Sequence, residues 1–287
     1  EDPVAASAQF VATEPGRAGV VQLFFEPVNL PTGQGAERVF RVYVGPKEAE
    51  RLEAVGGGLV RSIDLGWQWM APLTLAFGWL LRALYSVVPN YGVAIILLTI
   101  LVRVVTTPLT MKQMRSMERM RALQPKLQEL REKFPDDRQK QSEAMMQLYR
   151  REGVNPLGGC LPMVLQLPVF VGLFYALRSS IDLRQAPFFG WIDDLSAPDA
   201  LFEIPGLGIP FRVLPLVMGA TMVVQQRITP MQMDPAQARM MMTVMPVMMT
   251  VLFYQFASGL VLYWMVSNVL AIAHQVWVGR TMQKAPA

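Results

Sequence analysis

The sequence predicts an α-helical polytopic membrane protein. Its parts are a five-helix transmembrane core, a helical hairpin standing in water and the C-terminal remnant of a β-rich domain. Three observations predict this. Hydrophobic residues make up 52% of the chain and charged residues only 17%, a balance found in polytopic membrane proteins far more than in soluble domains. Five apolar segments, 91–110, 157–180, 211–228, 240–256 and 260–278, approach or reach bilayer-spanning length. Between the first two lies a helical but highly charged stretch, 111–153.

Residues 1–61 read as the end of a β-domain. Val20 to Phe25 and Val39 to Val44 are β-rich runs, separated by a Pro/Gly-containing link and followed by a short amphipathic helix at 47–55. Two strands do not make a stable domain, and the chain starts at Glu1 without an apolar leader. We therefore expect part of a longer protein, lacking a first anchor helix and most of the β-domain. Segment 67–89 carries Trp67, Trp69 and Trp79, Arg82 inside its apolar run, and prolines at 72 and 89. Tryptophans, an arginine and marginal length predict an amphipathic helix lying in the membrane interface. In 111–152, eleven Lys/Arg and seven Asp/Glu accompany a helical apolar spacing at Leu123, Leu127, Leu130 and Phe134. Pro135-Asp-Asp137 marks a turn and N-cap, so the stretch reads as a hairpin.

Loop charges orient the core. The hairpin, the loop 229–239 and the tail 279–287 are basic or flanked by Arg and Lys, whereas the loop 181–210 holds five acids against Arg184. The first group belongs in the cytoplasm, and the acidic loop and the N-terminal region belong outside.

The first span carries Arg103, a charge that is costly in hydrocarbon. Thr99, Arg103, Thr106 and Thr110 share one helix face. None of the five spans contains Asp or Glu, which predicts a hydrated, cytoplasm-facing groove around Arg103 and not a buried salt bridge. Gln166, Gln225, Ser267 and Asn268 add uncharged polar groups to other spans. The 20 methionines cluster at Met111, Met114, Met117 and Met120 and again over 231–249, and methionine-rich surfaces repack around varied apolar partners. There is no HExxH motif, no Gly-x-Ser-x-Gly elbow and no pair of membrane aspartates. Ser258 and His274 are too far apart in one helix to form a protease dyad. The lone His274 and lone Cys160 argue against metal and disulfide frameworks. We expect no enzyme activity, no cofactor and no nucleic-acid substrate. An anion-binding small-solute transporter is the alternative, although no internal repeat supports it.

Several motifs occur in order: Tyr43-Val-Gly-Pro-Lys47, Val102-Arg-Val-Val-Thr-Thr-Pro-Leu-Thr110, Met120-Arg-Ala-Leu-Gln-Pro-Lys126, Val154-Asn-Pro-Leu-Gly-Gly-Cys-Leu-Pro162, Leu183-Arg-Gln-Ala-Pro-Phe188 and Ser258-Gly-Leu-Val-Leu-Tyr-Trp264, with Ser267-Asn268 following. With them the chain resembles the YidC/Oxa1/Alb3 membrane protein insertase family from Val39 onward. The resemblance implies a groove closed on the outer side, in which the arginine matching Arg103 attracts the polar translocated segment of a client. It implies a client-binding set of Arg103, Thr99, Thr106, Gln166, Gln225, Tyr263, Trp264 and Asn268. The hairpin, with Met114, Met117, Arg119, Lys126 and Lys133, would receive clients. Where the family pair is Tyr-Tyr, this chain has Tyr263-Trp264. Implied partners are nascent membrane proteins, membrane lipids, the Sec translocon, the ribosome and signal-recognition components. No long basic tail follows Lys284 in this sequence, so the expected ribosome contact is not assigned to a tail.

Overall fold

A computed structural model describes the chain except for residues 1–6, 15–17, 25–30, 34, 36, 38–42, 135–136, 155–160, 207, 229–234 and 284–287. It divides into two units, Glu1–Pro46 and Lys47–Ala287. In the first, β1 (Ser7–Glu14) pairs antiparallel with β2 (Ala18–Phe24), with a register irregularity between Ala12 and Glu14. The strand expected over 20–25 is thus present, but its partner is 7–14. The run expected over 39–44 lies mostly outside the described residues.

The second unit starts with α1 (Ala49–Val55), whose Leu52 is buried. Residues 47–61, expected at the end of the β-rich region, group in compactness with the helices that follow. Next comes α2 (Ala71–Val87), preceded by a 3-10 turn at Gln68–Met70. Its buried face, Thr74, Phe77 and Leu81, joins the main core, while Trp67, Trp69 and Trp79 are exposed. By length and composition Gln68–Val87 could cross a membrane, so length alone does not make it interfacial. Its neighbours bear on the question: Gly66 abuts Tyr175, Leu73 and Phe77 meet Gly172, and Tyr85 stacks on Tyr91 at 3.9 Å.

The central element is α3 (Tyr91–Ala122). The hairpin expected to begin at 111 does not begin with a new helix, because α3 runs through Pro108 and past residue 111 without a break. The break comes later, where Pro125, with no N–H for the helix ladder, sits in the first turn of α4 (Gln124–Lys133). Asp137 caps α5 (Arg138–Arg151) by accepting from the Lys140 backbone N–H at 3.0 Å, as the turn signal predicted. Met120, Leu123, Leu127 and Val154 form a small core for this hairpin, with Met145, Leu148 and Tyr149 against it.

The remaining helices are α6 (Leu161–Ser179), α7 (Val213–Ile228), α8 (Pro235–Phe253) and α9 (Ser258–Gln283). Helix α9 packs on α3 and α7, α8 packs on α7, and α2 packs on α3 and α6. The core is apolar, running from Ala94, Ile95 and Leu98 through Leu173, Leu177 and Met218 to Leu260–Tyr263. Among the described residues, Tyr91–Met111 and Ser258–Val278 are long and apolar enough to span, and Val213–Ile228 and Met242–Phe253 are apolar but shorter. At about 1.5 Å per residue, the 16 residues of α7 reach only about 24 Å, less than the roughly 30 Å of a bilayer core.

The α7–α8 contact depends on one small residue. A Cβ at Gly219 would collide with Thr250 Oγ1, which itself donates to Pro246 O at 2.8 Å. Gly219→Ala is therefore expected to cost about 1–3 kcal/mol by overpacking, read as a lowered melting temperature in detergent. Adding Thr250→Ala removes the colliding oxygen and should recover most of the loss; failure to recover would mean the close approach is not what Gly219 serves.

Candidate functional site at the arginine face of the core

Arg103 is half-buried, and its guanidinium turns toward α9. Arg103 Nη2 donates to Ser267 O at 2.8 Å and to Ser267 Oγ at 2.6 Å. No Asp or Glu forms an ion pair with it among the described residues, so the charge is solvated by neutral oxygens. Such an arrangement leaves the net positive charge uncompensated. Ser267 had stood only among the scattered polar groups of the sequence, because nothing in a linear pattern says which helix faces Arg103.

The threonines beside Arg103 are satisfied by their own helix. Thr106 Oγ1 donates to Val102 O at 2.9 Å, Thr107 to Arg103 O at 2.7 Å and Thr110 to Thr106 O at 3.0 Å. Each hydroxyl keeps lone pairs while its proton is used. Thr99 shares that face but is only 1% exposed, its hydroxyl bonded to Ile95 O. The expectation that Thr99 lines an open groove is therefore corrected: α9 and the outer core cover it. Tyr263 is equally buried, and its hydroxyl accepts from Gln166 Nε2 at 2.8 Å, tying α6 to α9. Asn268 is also buried and donates to Thr221 Oγ1 at 3.3 Å, tying α9 to α7. These two were expected on a groove wall, and they act instead as interhelical links behind it. A helical pattern identifies a shared face, not whether a neighbouring helix covers it.

Trp264 packs edge-on against Phe170 at 4.9 Å and also meets Phe253. With no hydrogen bond among the described residues, its ring extends an aromatic wall, which explains how a tryptophan is accommodated beside Tyr263. Gln225 is half-buried on α7. Nearby Gln226 Oε1 and His274 Nε2 are buried without a hydrogen-bond partner among the described residues. Arg103, Ser267, Gln226 and His274 thus place polar groups on α3, α7 and α9.

The end of the core opposite the hairpin is closed by the acidic loop, which folds over the α8–α9 turn. Ser258 donates from its backbone N–H to Ala197 O at 2.8 Å and from its hydroxyl to Asp194 O at 2.8 Å, and Gly259 N–H reaches Leu195 O at 2.9 Å. Gly259 must be small, because a Cβ would approach Leu195 O to 3.0 Å. Asp199, 4% exposed, accepts from Trp191 Nε1, Val213 N and Leu214 N, each at 3.0 Å. It caps α7 from fourteen residues upstream, a device invisible to local capping rules. A short hairpin, β3 (Phe202–Ile204) with β4 (Ile209–Phe211), occupies the same loop, and the sequence reading had missed it. The turn signal Pro205-Gly206 could have revealed it.

Within this cap, partial burial pushes the Asp194 carboxyl up, but hydrogen bonds from the Ser196 hydroxyl and backbone and from the Gln185 and Ala197 backbones outweigh it, so the net direction is down. A depressed carboxyl stabilises the fold above the unfolded value of about 3.9, and that stability is lost as pH falls through the lower folded value. Ser196→Ala should therefore lower stability at neutral pH and leave acid stability nearly unchanged, so that variant and wild type converge as pH falls. Melting curves from pH 7 to pH 3 test this: a steeper wild-type decline on the acid side is expected.

In the hairpin, Lys126 bridges to Glu152 at 2.6 Å, Lys133 lies 5.9 Å from the Phe134 ring, Arg119 is exposed and Met114 is half-buried. The side chain of Met117 lies outside the described residues. Exposed pairs of this kind contribute little stability.

Comparison with known proteins agrees with this arrangement. Residues 83–285 match the family described as 60Kd inner membrane protein, and residues 3–77 match the YidC periplasmic domain. Proteins named membrane protein insertase YidC are 48% identical in Pelobacter propionicus, over 88% of this chain and 46% of that protein, and 45% identical in Azotobacter vinelandii, over 90% and 44%. A crystal structure of an active YidC insertase with its first transmembrane domain resolved superposes with a TM-score of 0.56 at 28% identity, over 77% of this chain and 49% of that one. The chain spans about half the length of these relatives. By its match over most of its length, the chain belongs to the 60Kd inner membrane protein family, the family of the YidC insertases.

Proposed function

We propose that this chain carries a non-enzymatic insertase and chaperone activity for inner-membrane proteins. The observation that supports it best is Arg103: a charge inside the apolar span Tyr91–Met111, with no acidic partner among the described residues, held toward α9 by neutral oxygens. An uncompensated positive charge in a low-dielectric setting attracts the acidic or polar segment of a client. The client's apolar segment can then leave toward lipid past Trp264 and the exposed valines and methionines of α8. The short α7 thins the bilayer locally and lowers the barrier further. The outer cap sets the direction, so the site opens to the cytoplasm, with the N-terminal region periplasmic and the C-terminus cytoplasmic. Residues 67–89 lie in the outer interface on this reading, supported by the exposed Trp67, Trp69 and Trp79. The hairpin 111–153, with Met114, Met117, Arg119, Lys126 and Lys133, receives clients, and the Sec translocon and ribosome are partners on the same reading. Nothing in the site favours anion transport.

Photocrosslinking to a nascent membrane protein tests this. Probes replacing Trp264 and Thr106 should capture the client, whereas one at Thr99, buried behind α9, should not. Capture at Thr99 alone would sink the groove assignment.

A further inference from the structure

A second polar site lies on the opposite, outer side of the core. Lys47 and Glu48, the 3-10 link at 59–65, the α2 face of Thr74, Leu75, Gly78 and Arg82, and the α6 end at Ser179–Asp182 enclose a cleft of about 500 Å³ counted to its open mouth. Its lining is divided. Ile63, Leu65, Leu75, Ala176 and Ile181 make apolar walls, while two cations, Lys47 and Arg82, face two anions, Glu48 and Asp182. Glu48 already holds Arg51 through one oxygen at 2.6 Å, leaving the other for a ligand. Lys47 makes only a long 3.4 Å contact to Ser62 O. The exposed Trp67, stacked on Trp69, lies at the 3-10 turn that leads into α2, and the exposed Trp79 lies on α2 itself; tryptophans of this kind sit at the headgroup level.

We propose that this cleft binds the headgroup of an outer-leaflet phospholipid bearing a primary amine. Its phosphate lies against Lys47 and Arg82, its ammonium against Glu48 and Asp182, and its acyl chains run along the apolar walls. The lining charges sum to zero, as a zwitterion requires, and a primary ammonium keeps three N–H donors for the two carboxylates. A trimethylated amine has none. Bound lipid then pins α2 to the ends of α6 and stabilises the outer face of the groove. The site rests on the interfacial placement of α2 proposed above.

The test is native mass spectrometry of the full-length protein released from nanodiscs of mixed phosphatidylethanolamine, phosphatidylcholine and phosphatidylglycerol. The wild type should retain one phosphatidylethanolamine in preference to the other two. Lys47→Gln with Arg82→Gln should lower that retention about tenfold or more, with an unchanged circular-dichroism spectrum. Asp182→Asn should keep lipid but lose the preference for the primary amine over choline. Equal retention by wild type and double variant would make the adduct annular lipid and overturn the proposal. Displacement of lipid by millimolar inorganic phosphate would overturn it too, by assigning a free anion. The double variant should still insert clients through Arg103. Loss of insertion with lipid retention intact would instead count against the placement and function proposed for the core.

Discussion

Arg103→Ala is expected to reduce insertion of clients with acidic translocated tails by about tenfold to a hundredfold. Two unit charges about 4 Å apart interact with roughly 1 kcal/mol in water and roughly 4 kcal/mol at the effective dielectric of a protein surface, and each 1.4 kcal/mol is about tenfold. The site sits between those limits, half-buried and without a competing acid. Arg103→Lys keeps the charge but gives up the double contact of one guanidinium nitrogen with Ser267 O and Oγ, so a loss of only about threefold is expected for that variant. Clients with neutral tails should insert nearly normally in both variants. Protease protection of the translocated tail in reconstituted vesicles, with tail charge varied in one client, separates these outcomes. If the alanine variant slows neutral and acidic clients equally, Arg103 holds α3 to α9 and attracts nothing.

Asp199→Ala carries the largest expected stability effect. Its carboxylate is buried and accepts from the Trp191 ring N–H and from the first two backbone N–H groups of α7. Leaving a buried donor unsatisfied costs about 1–3 kcal/mol, and three donors are orphaned together. Since one side chain serves them all, the costs do not simply add, and a loss of about 3–5 kcal/mol is expected. The corresponding fall in melting temperature in detergent is on the order of 10 °C. Asp199→Asn retains an acceptor oxygen but loses the charge at the helix N-terminus, so it should fall between wild type and alanine. A variant that melts like wild type would show that the loop is held by the Ser258 and Gly259 contacts alone. Because this loop closes the outer end, the alanine variant should also admit outside reagents to cysteines placed on the core side of Leu195.

Much of the fold was legible in composition and period. Segment 91–110 reads as a helix because its aliphatic residues are continuous and its polar residues recur on one face. The turn at Asp137 is legible because a capping aspartate acts within three residues of itself. The membrane class follows from the apolar fraction, and the polar face from the spacing of Thr99, Arg103, Thr106 and Thr110. What failed were features set by distant segments. The helix carrying Arg103 continues into the charged hairpin, since neither Pro108 nor charge ends a helix when its neighbours hold it, while Pro125 does mark an end. The β3–β4 hairpin and the partner of β2 were missed although both pairings are local, because β3 and β4 have only three residues each and Ser7–Glu14 lacks a strong β-rich run.

The sequence by itself determined that a positive charge sits in an apolar helix with no acid in any span to neutralise it. That is a matter of residue identity, and no folding changes it. Only the tertiary structure decided what solvates the charge and which of its neighbours remain reachable. Ser267 lies 164 positions away from Arg103, and helix packing alone brings the two together. The same packing buries Thr99, Tyr263 and Asn268 while leaving Thr106, Gln166 and Trp264 partly open. Periodicity places a side chain on a face of its own helix; what covers that face depends on the crossing of other helices, which is set by small residues such as Gly219 and by long-range caps such as Asp199.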